Sequence, residues 1–314
     1  MPTSPRRRWF QFSLRTLIAA MFLLSVLCAT VAWWVHSARR QMEIVNALDG
    51  YGVGVFYSEG STPAWLVSRL GIDYFEHVEL AMDEGPAHSS TPEVARLLSE
   101  LPRLEGVRLS KRSFTENDLQ TLSRRRELQS ISLFGVKYLD QDALRHLVGL
   151  TQLRELQIQT VGLTPLHQLK IPLRAEQAPE ISPRDIEAIS QLPNLVQLSL
   201  HNTKITDRTM TLICGMKGLE MLSLHQCSRP ITDQDAQRLS ELKNLTELFV
   251  SPSEISDAEV ARLRSAVPNC RILLSKNVGE NAVEYLPLND TVYKHATAHA
   301  ARGGGYLTIR SALE

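Results

Sequence analysis

The amino-acid sequence predicts an α/β solenoid, with parallel strands on its concave face and short helices on its convex face, preceded by one transmembrane helix. Three observations lead to this prediction. A stretch of 19 uncharged residues lies near the amino terminus. After it, the pattern L-x-x-L-x-L recurs at intervals of roughly 25 residues. Between its copies, short segments of the type Ile-Thr-Asp mark the starts of helices.

The uncharged stretch, Leu17 to Val35, is predicted to span a membrane. As a helix it would be ~28 Å long, close to the ~30 Å thickness of the hydrocarbon layer. Trp9 and Phe10 precede it and Trp33 and Trp34 close it, which is the placement of aromatic residues at the two membrane interfaces. A buried helix of a soluble protein would not explain these aromatic residues together with arginines on both sides.

Arginines flank the span unequally, with four before it in residues 1–16 and two after it, Arg39 and Arg40. The positive-inside rule therefore predicts a cytoplasmic Arg-rich tail and an extracytoplasmic position for the rest of the chain. Cleavage as a signal peptide after Ala32 stays open, as does a twin-arginine export signal, which would change only the route. A lipoprotein signal is excluded because Leu27 stands before Cys28, where processing requires a small residue.

Composition limits the class of protein only broadly. Of 314 residues, 43% are hydrophobic and 22% are charged, which excludes a wholly disordered chain and a polytopic membrane protein. The 34 basic residues balance the 34 acidic ones, so no overall field favours nucleic acid. The cysteines lack metal-site or C-x-x-C spacing and are predicted to be free thiols; they are Cys28, Cys214, Cys227 and Cys270.

The strand pattern occurs in six good copies between residues 104 and 250. A further, abbreviated copy is predicted at Leu166-Leu169-Ile171, and Phe75-Val78-Leu80 and Cys270-Leu273 are predicted to begin and end the series. This makes about nine turns. The six copies are Leu104-Val107-Leu109, Leu128-Ile131-Leu133, Leu153-Leu156-Ile158, Leu195-Leu198-Leu200, Leu219-Leu222-Leu224 and Leu245-Leu248-Val250.

Five segments between the copies predict helix starts. A Thr or Ser in this position caps free backbone N–H groups, and apolar residues then follow at helical spacing. One strand and one short helix cannot bury their apolar faces alone, so neighbouring units must stack. The segments are Phe114-Thr115-Glu116, Ile181-Ser182-Pro183, Ile205-Thr206-Asp207, Ile231-Thr232-Asp233 and Ile255-Ser256-Asp257.

These two patterns over residues 75–275 resemble the leucine-rich-repeat family. The resemblance implies that the third residue after the last strand leucine, normally Asn or Cys, hydrogen-bonds loop backbone along the stack. Thr203, Cys227 and Ser253 hold this position here, whereas Arg112, Val136 and Val161 depart from it. The layout of Arg-rich tail, single span and repeats is similar to bacterial membrane-anchored leucine-rich-repeat proteins. Residues 36–74 are predicted to form the juxtamembrane segment and N-terminal cap, and residues 276–314 a weakly ordered tail.

Alternate strand positions should project from the concave face, where solenoids generally bind their partners. This face is predicted to be polar and lightly charged, with a few large apolar groups suited to protein recognition. Ser110, Gln159 and Ser251 also lie on it. The candidate binding residues are Arg108, Ser130, Ser132, Phe134, Glu155, Gln157, Gln197, Ser199, His201, Met221, Ser223, His225, Glu247 and Phe249.

Motifs for catalysis are missing from the sequence: it has no H-E-x-x-H, no phosphate-binding G-x-x-x-x-G-K-[ST] and no G-x-S-x-G. His201 and His225 occupy the same position in adjacent turns, so parallel strands would bring their backbones within ~4.8 Å. Two imidazoles could share a metal ion, yet no third ligand is evident, and catalytic zinc usually has three. We therefore expect no cofactor and no enzymatic activity.

The sequence thus favours a non-enzymatic, membrane-anchored leucine-rich-repeat protein of a bacterial cell. Its extracytoplasmic solenoid is predicted to bind another protein or a cell-envelope component through the concave face, without contact to nucleic acid. One alternative is a structural element of the envelope whose repeats self-associate. A second alternative is a metal-dependent hydrolase that uses His201 and His225.

Overall fold

The computed structural model describes residues 14–58, 60, 62–83, 91–110, 115–136, 142–160, 181–225, 227, 231–250 and 256–274. The chain divides into two compact units. We call Met1–Glu43 with Gly60–Glu76 the anchor unit, and Ile44–Glu59 with His77–Glu314 the repeat unit. Residues 1–13 of the Arg-rich tail, the copy predicted at residues 166–171 and the tail after residue 275 lie outside the described residues.

A single long helix begins the described chain. α1 runs over Leu14–Gly50, so the predicted span and the first part of the predicted juxtamembrane segment belong to one continuous element. Residues Leu17–Gly50 are long and apolar enough to cross a membrane by length and composition. The anchor unit also contains α2, Ala64–Leu70, and a short 3₁₀ helix, Ile72–Tyr74.

The repeat unit is built on one nine-stranded sheet whose strands follow each other in chain order. β1 pairs with β2 in antiparallel orientation, and every later pair is parallel. The strands are β1 Val53–Tyr57, β2 Val78–Asp83, β3 Gly106–Ser110, β4 Ser130–Val136, β5 Glu155–Thr160, β6 Gln197–His201, β7 Met221–His225, β8 Glu247–Val250 and β9 Arg271–Leu274.

The strand register confirms the L-x-x-L-x-L prediction. Leu198, Leu222 and Leu248 are register partners in consecutive strands, and all three are fully buried. The last aliphatic positions of the six copies pair along the sheet in the same way, and all the aliphatic positions of the copies join one continuous hydrophobic core. Since a unit of strand and helix buries its apolar side only against its neighbours, this shared core is what makes the repeats cooperative.

Short helices alternate with the parallel strands. Besides α1 and α2 they are α3 Thr91–Glu100, α4 Glu116–Leu122, α5 Pro183–Ile189, α6 Asp207–Gly215, α7 Asp233–Leu239 and α8 Asp257–Ala266, with a 3₁₀ helix at Ala143–Gly149. All five predicted caps are confirmed, because each side chain accepts a hydrogen bond from the backbone N–H of the third helical residue. These caps are Thr115, Ser182, Thr206, Thr232 and Ser256.

One capping carboxylate serves two helices. Asp185 is 2% exposed and lies in the first turn of α5, where Ser182 donates to it. It also accepts backbone hydrogen bonds from Asp142 and Leu144, which open the 3₁₀ helix of the preceding repeat. Burial raises the pKa of this carboxyl group against the lowering effect of these hydrogen bonds. Asp185 therefore links two successive repeats on the helical side of the sheet.

At the position that the resemblance singles out after the strand, Cys227 makes the implied contact with loop backbone. Thr203 is fully buried, and the Cys227 thiol donates to the backbone oxygen of Leu200 in the preceding repeat, 3.4 Å away. The Cys227 sulfur lies 3.7 Å from the Thr203 hydroxyl oxygen. These contacts connect the loops that follow β6 and β7. Ser253, Val161 and Arg112 lie outside the described residues.

The register departs from the predicted pattern at both ends of the sheet. Ala81, and not Leu80, pairs with the buried Val107, because the pairing of β1 with β2 shifts at Phe56 and Tyr57. At the other end Ile272 pairs with Leu248, which places Leu273 opposite the core side. A one-residue slip exchanges the two faces of a strand, so both leucines leave the predicted core row.

The sheet passes directly from β5 to β6. Five consecutive residue pairs join them, from Glu155 with Gln197 to Gln159 with His201. The segment that connects β5 to β6, residues 161–196, is about twice as long as the segments that connect the other neighbouring strands. The spacing of 42 residues between two copies of the pattern therefore corresponds to one step in the sheet. No described strand lies between β5 and β6 in the sheet, and the copy predicted at Leu166-Leu169-Ile171 is outside the described residues.

Candidate binding face

The strand residues that alternate with the core form a second surface, which we call the outer face. It corresponds to the face that the sequence predicts to be concave. The register arranges its residues in three rows across the sheet. The first row contains Gly106, Ser130, Glu155, Gln197, Met221, Glu247 and Arg271; the central row Arg108, Ser132, Gln157, Ser199, Ser223, Phe249 and Leu273; the third row Gln159, His201 and His225.

Phe134 continues the third row on β4 at a local irregularity. Gly135 has a φ of 61°, which a glycine adopts without strain, and the pairing of β4 with β5 shifts between Leu133 and Val136. All fourteen candidate binding residues therefore lie on the strands, at the alternate positions that the sequence predicts for this face. Whether they bind a partner remains a prediction.

The central row is less exposed than the rows beside it. Arg108, Ser132, Ser199 and Ser223 are all buried, with exposed fractions of 6% or less, whereas the remaining ten candidate residues are partly exposed. Serine is small, so the longer side chains of both adjacent rows shield it from solvent. On β6 and β7 the outer face thus has buried serines, Ser199 and Ser223, between larger side chains of the first and third rows.

Arg108 organises the end of this face at β3. Its guanidinium carbon lies 5.4 Å from the centre of the Phe134 ring, in cation–π geometry. The pKa of Glu155, two strands away, is lowered by a hydrogen bond from Ser130 and, to a smaller extent, by the positive charges of Arg154 and Arg108. Burial of Glu155 acts more strongly, and its pKa is raised overall.

The two histidines predicted to be neighbours are brought together. Their ring centroids are 5.7 Å apart at an interplanar angle of 66°, an edge-to-face arrangement. The Nε2 atom of His201 lies 2.9 Å from the Ser223 hydroxyl oxygen. Desolvation, helped by the charge of His225, lowers the pKa of His201 from 6.5 to about 4, and desolvation also lowers the pKa of His225. Both imidazoles are therefore neutral at pH 7.

A metal centre needs more than this pair. Within the part of the chain that the structure describes, no group of three or more His, Cys, Asp or Glu side chains is arranged to hold a metal ion. Gln159 is the register partner of His201, but its side-chain oxygen is buried and makes no hydrogen bond to any described residue. The neighbouring groups thus supply hydroxyl and amide functions, and the hydrolase alternative has no third ligand here.

Large apolar side chains lie among the polar residues of the outer face. Phe134, Met221 and Phe249 are partly exposed, as predicted for recognition residues. Sequence reasoning missed two more apolar residues on this face because both were placed in the core row. They are Leu273, which is partly exposed, and Leu80, which is buried. The signal for Leu273 is the last repeat, in which one residue fewer separates Cys270 from its strand than separates Leu245 from β8. Phe249 and Leu273 are register partners, so they form an apolar patch at this end.

Comparisons with known proteins gave similar solved structures. An internalin of Listeria monocytogenes matches 58% of this chain at 18% identity and a TM-score of 0.34, and 57% of the internalin chain is covered. A leucine-rich-repeat protein of Leptospira interrogans matches 62% at 20% identity and a TM-score of 0.37, with 48% of that chain covered. The chain thus spans about half to three fifths of the length of these proteins. No family model and no curated protein matches the sequence.

The strand register, the buried aliphatic rows and the capped helices carry the assignment of the fold. They identify the repeat unit as a leucine-rich-repeat solenoid with an antiparallel first strand.

Proposed function

We propose that the protein is a membrane-anchored leucine-rich-repeat protein that binds another protein through the outer face of its sheet on the extracytoplasmic side. The observation that carries this proposal is the composition of that face. Partly exposed Phe134, Met221 and Phe249 stand among serines, glutamines and histidines that the register fixes in rows. Aromatic residues, methionine and arginine are the types enriched at protein interfaces.

Rigidity of the strands supports this role. The outer-face residues lie on paired strands whose other side is fully buried, so little conformational freedom is lost when a partner binds. Arg108 is held over Phe134, and Ser223 contacts His201, so part of the face is already ordered. A face that is arranged before binding gains affinity without new contacts.

Capture of the partner from native membranes tests the binding face. The full-length protein carrying F134A and F249A should retain much less of any cross-linked partner than the wild type, because truncation of central aromatic residues removes most of the binding energy of an interface. R208A with Q237A is the matched control, since both side chains are exposed on helices away from the sheet. Equal capture by the wild type and the double aromatic variant would contradict the chosen face.

Self-association is a separate outcome of the same preparation. If sedimentation of the detergent-solubilised chain shows oligomers whose size depends on protein concentration and on F134A and F249A, the partner is a second copy. A protein that stays monomeric while it captures a different component supports the proposal as stated.

Anchoring is supported by α1, whose apolar residues are exposed over the predicted span, Phe22 to 67% and Leu24 to 60%. A helix of this length with an unburied apolar surface is suited to a bilayer. Alkaline phosphatase fused after Glu314 is active only after export, and it should be active and remain in the membrane fraction. An inactive reporter would place the repeats in the cytoplasm, and an active reporter in the soluble fraction would indicate cleavage of the span.

A further inference from the structure

The anchor unit contains a segment whose position along the axis of α1 is fixed by aromatic contacts. The ring of Trp34, at the end of the predicted span, lies edge to face against Tyr74 at 5.4 Å and against Phe75 at 5.9 Å between centroids. Tyr74 ends the 3₁₀ helix, so this helix lies beside the point at which the apolar stretch of α1 stops.

A polar contact fixes the same segment at a second level. The Gln41 side-chain amide donates to the Asp73 carboxylate at 3.1 Å and to the backbone oxygen of Glu76 at 2.9 Å, and Gln41 is 4% exposed. Gln41 lies seven residues after Trp34, which is ~10 Å along a helix. Residues 73–76 therefore run alongside the first turns of α1 beyond the predicted span.

α2 directly precedes this fixed segment and is not covered by the described chain. None of its seven residues is buried, and Trp65 and Leu70 are 63% and 51% exposed. A helix of this length is unstable alone in water, so an apolar surface that it could bury would stabilise it. Trp is enriched at the interface between membrane and water. Interfacial helices also carry basic residues beside their apolar ones, and Arg69 follows Trp65 by one helical turn.

We propose that α2 and the 3₁₀ helix form a collar on the membrane surface, in which Trp65 and Leu70 enter the interfacial layer of the leaflet where α1 emerges. The occupant of this exposed apolar surface is the lipid bilayer itself, because Trp34 at the end of the apolar stretch holds the collar at that depth. This inference rests on the proposed membrane span of α1. It adds a second, peripheral contact with the same bilayer.

Quenching by lipid measures the depth of single tryptophans in the full-length protein. The variant W9F/W33F/W34F keeps Trp65 as its single tryptophan, and W9F/W34F/W65F keeps Trp33. Both variants contain W34F, which retains an aromatic ring against Tyr74. A third variant lacks all four natural tryptophans and carries Q237W on an exposed helix position as the aqueous control. Each is reconstituted into phosphatidylcholine vesicles that contain lipid brominated close to the headgroup.

The collar predicts that Trp65 loses emission to a similar extent as Trp33, while the Q237W control stays bright and is quenched by aqueous iodide. If lipid quenches Trp33, while Trp65 is quenched by iodide and not by lipid, the result overturns the collar and leaves the span intact. Loss of lipid quenching at Trp33 would refute the span and the collar with it. A Trp65 protected from both quenchers would indicate a protein contact and would also overturn the collar.

A single substitution gives the same answer if the multiple variants do not fold. The lipid-quenchable emission of the wild type minus that of W65F is the contribution of Trp65. A difference of zero in protein that still floats with vesicles would contradict the collar.

Discussion

His201 and His225 stand at the same position of adjacent strands with their imidazole rings edge to face, 5.7 Å apart. The contact follows from the repeat, which places equivalent side chains side by side on the outer face. Desolvation disfavours the charged form of both rings and lowers both pKa values, and a charge on His225 would disfavour protonation of His201 further. The pair is therefore stable only in its neutral form.

Acidification should destabilise the fold through His201. Its pKa is about 4 in the folded state and ordinarily 6.5, so between these values the unfolded chain binds more protons. The stabilisation is complete above pH 6.5 and is lost as the pH falls toward 4. From pH 7.5 to 5 the loss from this group is about 2 kcal/mol.

Urea unfolding of the full-length protein in non-ionic detergent at both pH values measures this loss, and H201Q should reduce it. Gln keeps a polar group near Ser223 but does not titrate. Carboxyl groups such as Glu155, whose pKa is raised, change stability in the opposite direction equally in both proteins. An identical pH dependence of the wild type and H201Q would exclude His201 as the cause.

Adjacent residues of β7 should differ sharply in their contribution to stability. Leu222 is fully buried in the core, and Met221 is partly exposed on the outer face. L222A removes buried methyl groups and leaves a cavity, which should cost roughly 2–5 kcal/mol. M221A should cost much less, and the difference in urea midpoint measures the effect. Similar losses for the two variants would mean that the register of β7 is wrong.

The capping box of α7 offers a test on the helical side. The Thr232 hydroxyl accepts from the backbone N–H of Asp235, whose carboxylate in turn accepts from the backbone N–H of Thr232. T232A should reduce the free energy of unfolding by about 1 kcal/mol. T232S keeps the hydroxyl and is the control. If thermal unfolding of T232A matches that of T232S, the cap does not stabilise this helix.

Leu80 and Gly106 are register partners on the outer face. A Cβ atom added at Gly106 would lie 2.7 Å from Cδ1 of Leu80, closer than real carbon atoms approach, so G106A forces this leucine to move. The double variant L80A/G106A should be more stable than the sum of the two single losses predicts, by ~0.5 kcal/mol or more. Strict additivity in a double-mutant cycle of urea unfolding would place Leu80 away from Gly106 and in the core.

The repeating part of the fold could be predicted because every unit meets the same requirement. Leu222 and Leu224 must face the core, so the pattern itself reports the strand and its parity. The ends could not be predicted in the same way. At Leu80 and Leu273 an apolar residue stands next to the core position, and the register depends on a bulge and on the length of one turn.

The outer face shows a similar division. Parity placed His201 beside His225 from the sequence alone, since both positions repeat. The burial of Ser199 and Ser223 depends on the size of side chains in neighbouring rows, and the hydrogen bond between His201 and Ser223 depends on rotamers. The contact of Trp34 with Tyr74 joins positions distant in sequence that follow no repeat, so no local pattern reports it.

The direct pairing of β5 with β6 has a consequence for how this chain can vary. β5, Glu155–Thr160, and β6, Gln197–His201, pair with each other directly, and this pairing does not depend on the length of the segment that connects them. The entropy of closing a loop grows only slowly with its length. We therefore expect a gene to gain or lose codons, or to accept a foreign domain, most readily in the part of this connection that precedes α5, with the paired strands and the core contacts of α5 unchanged.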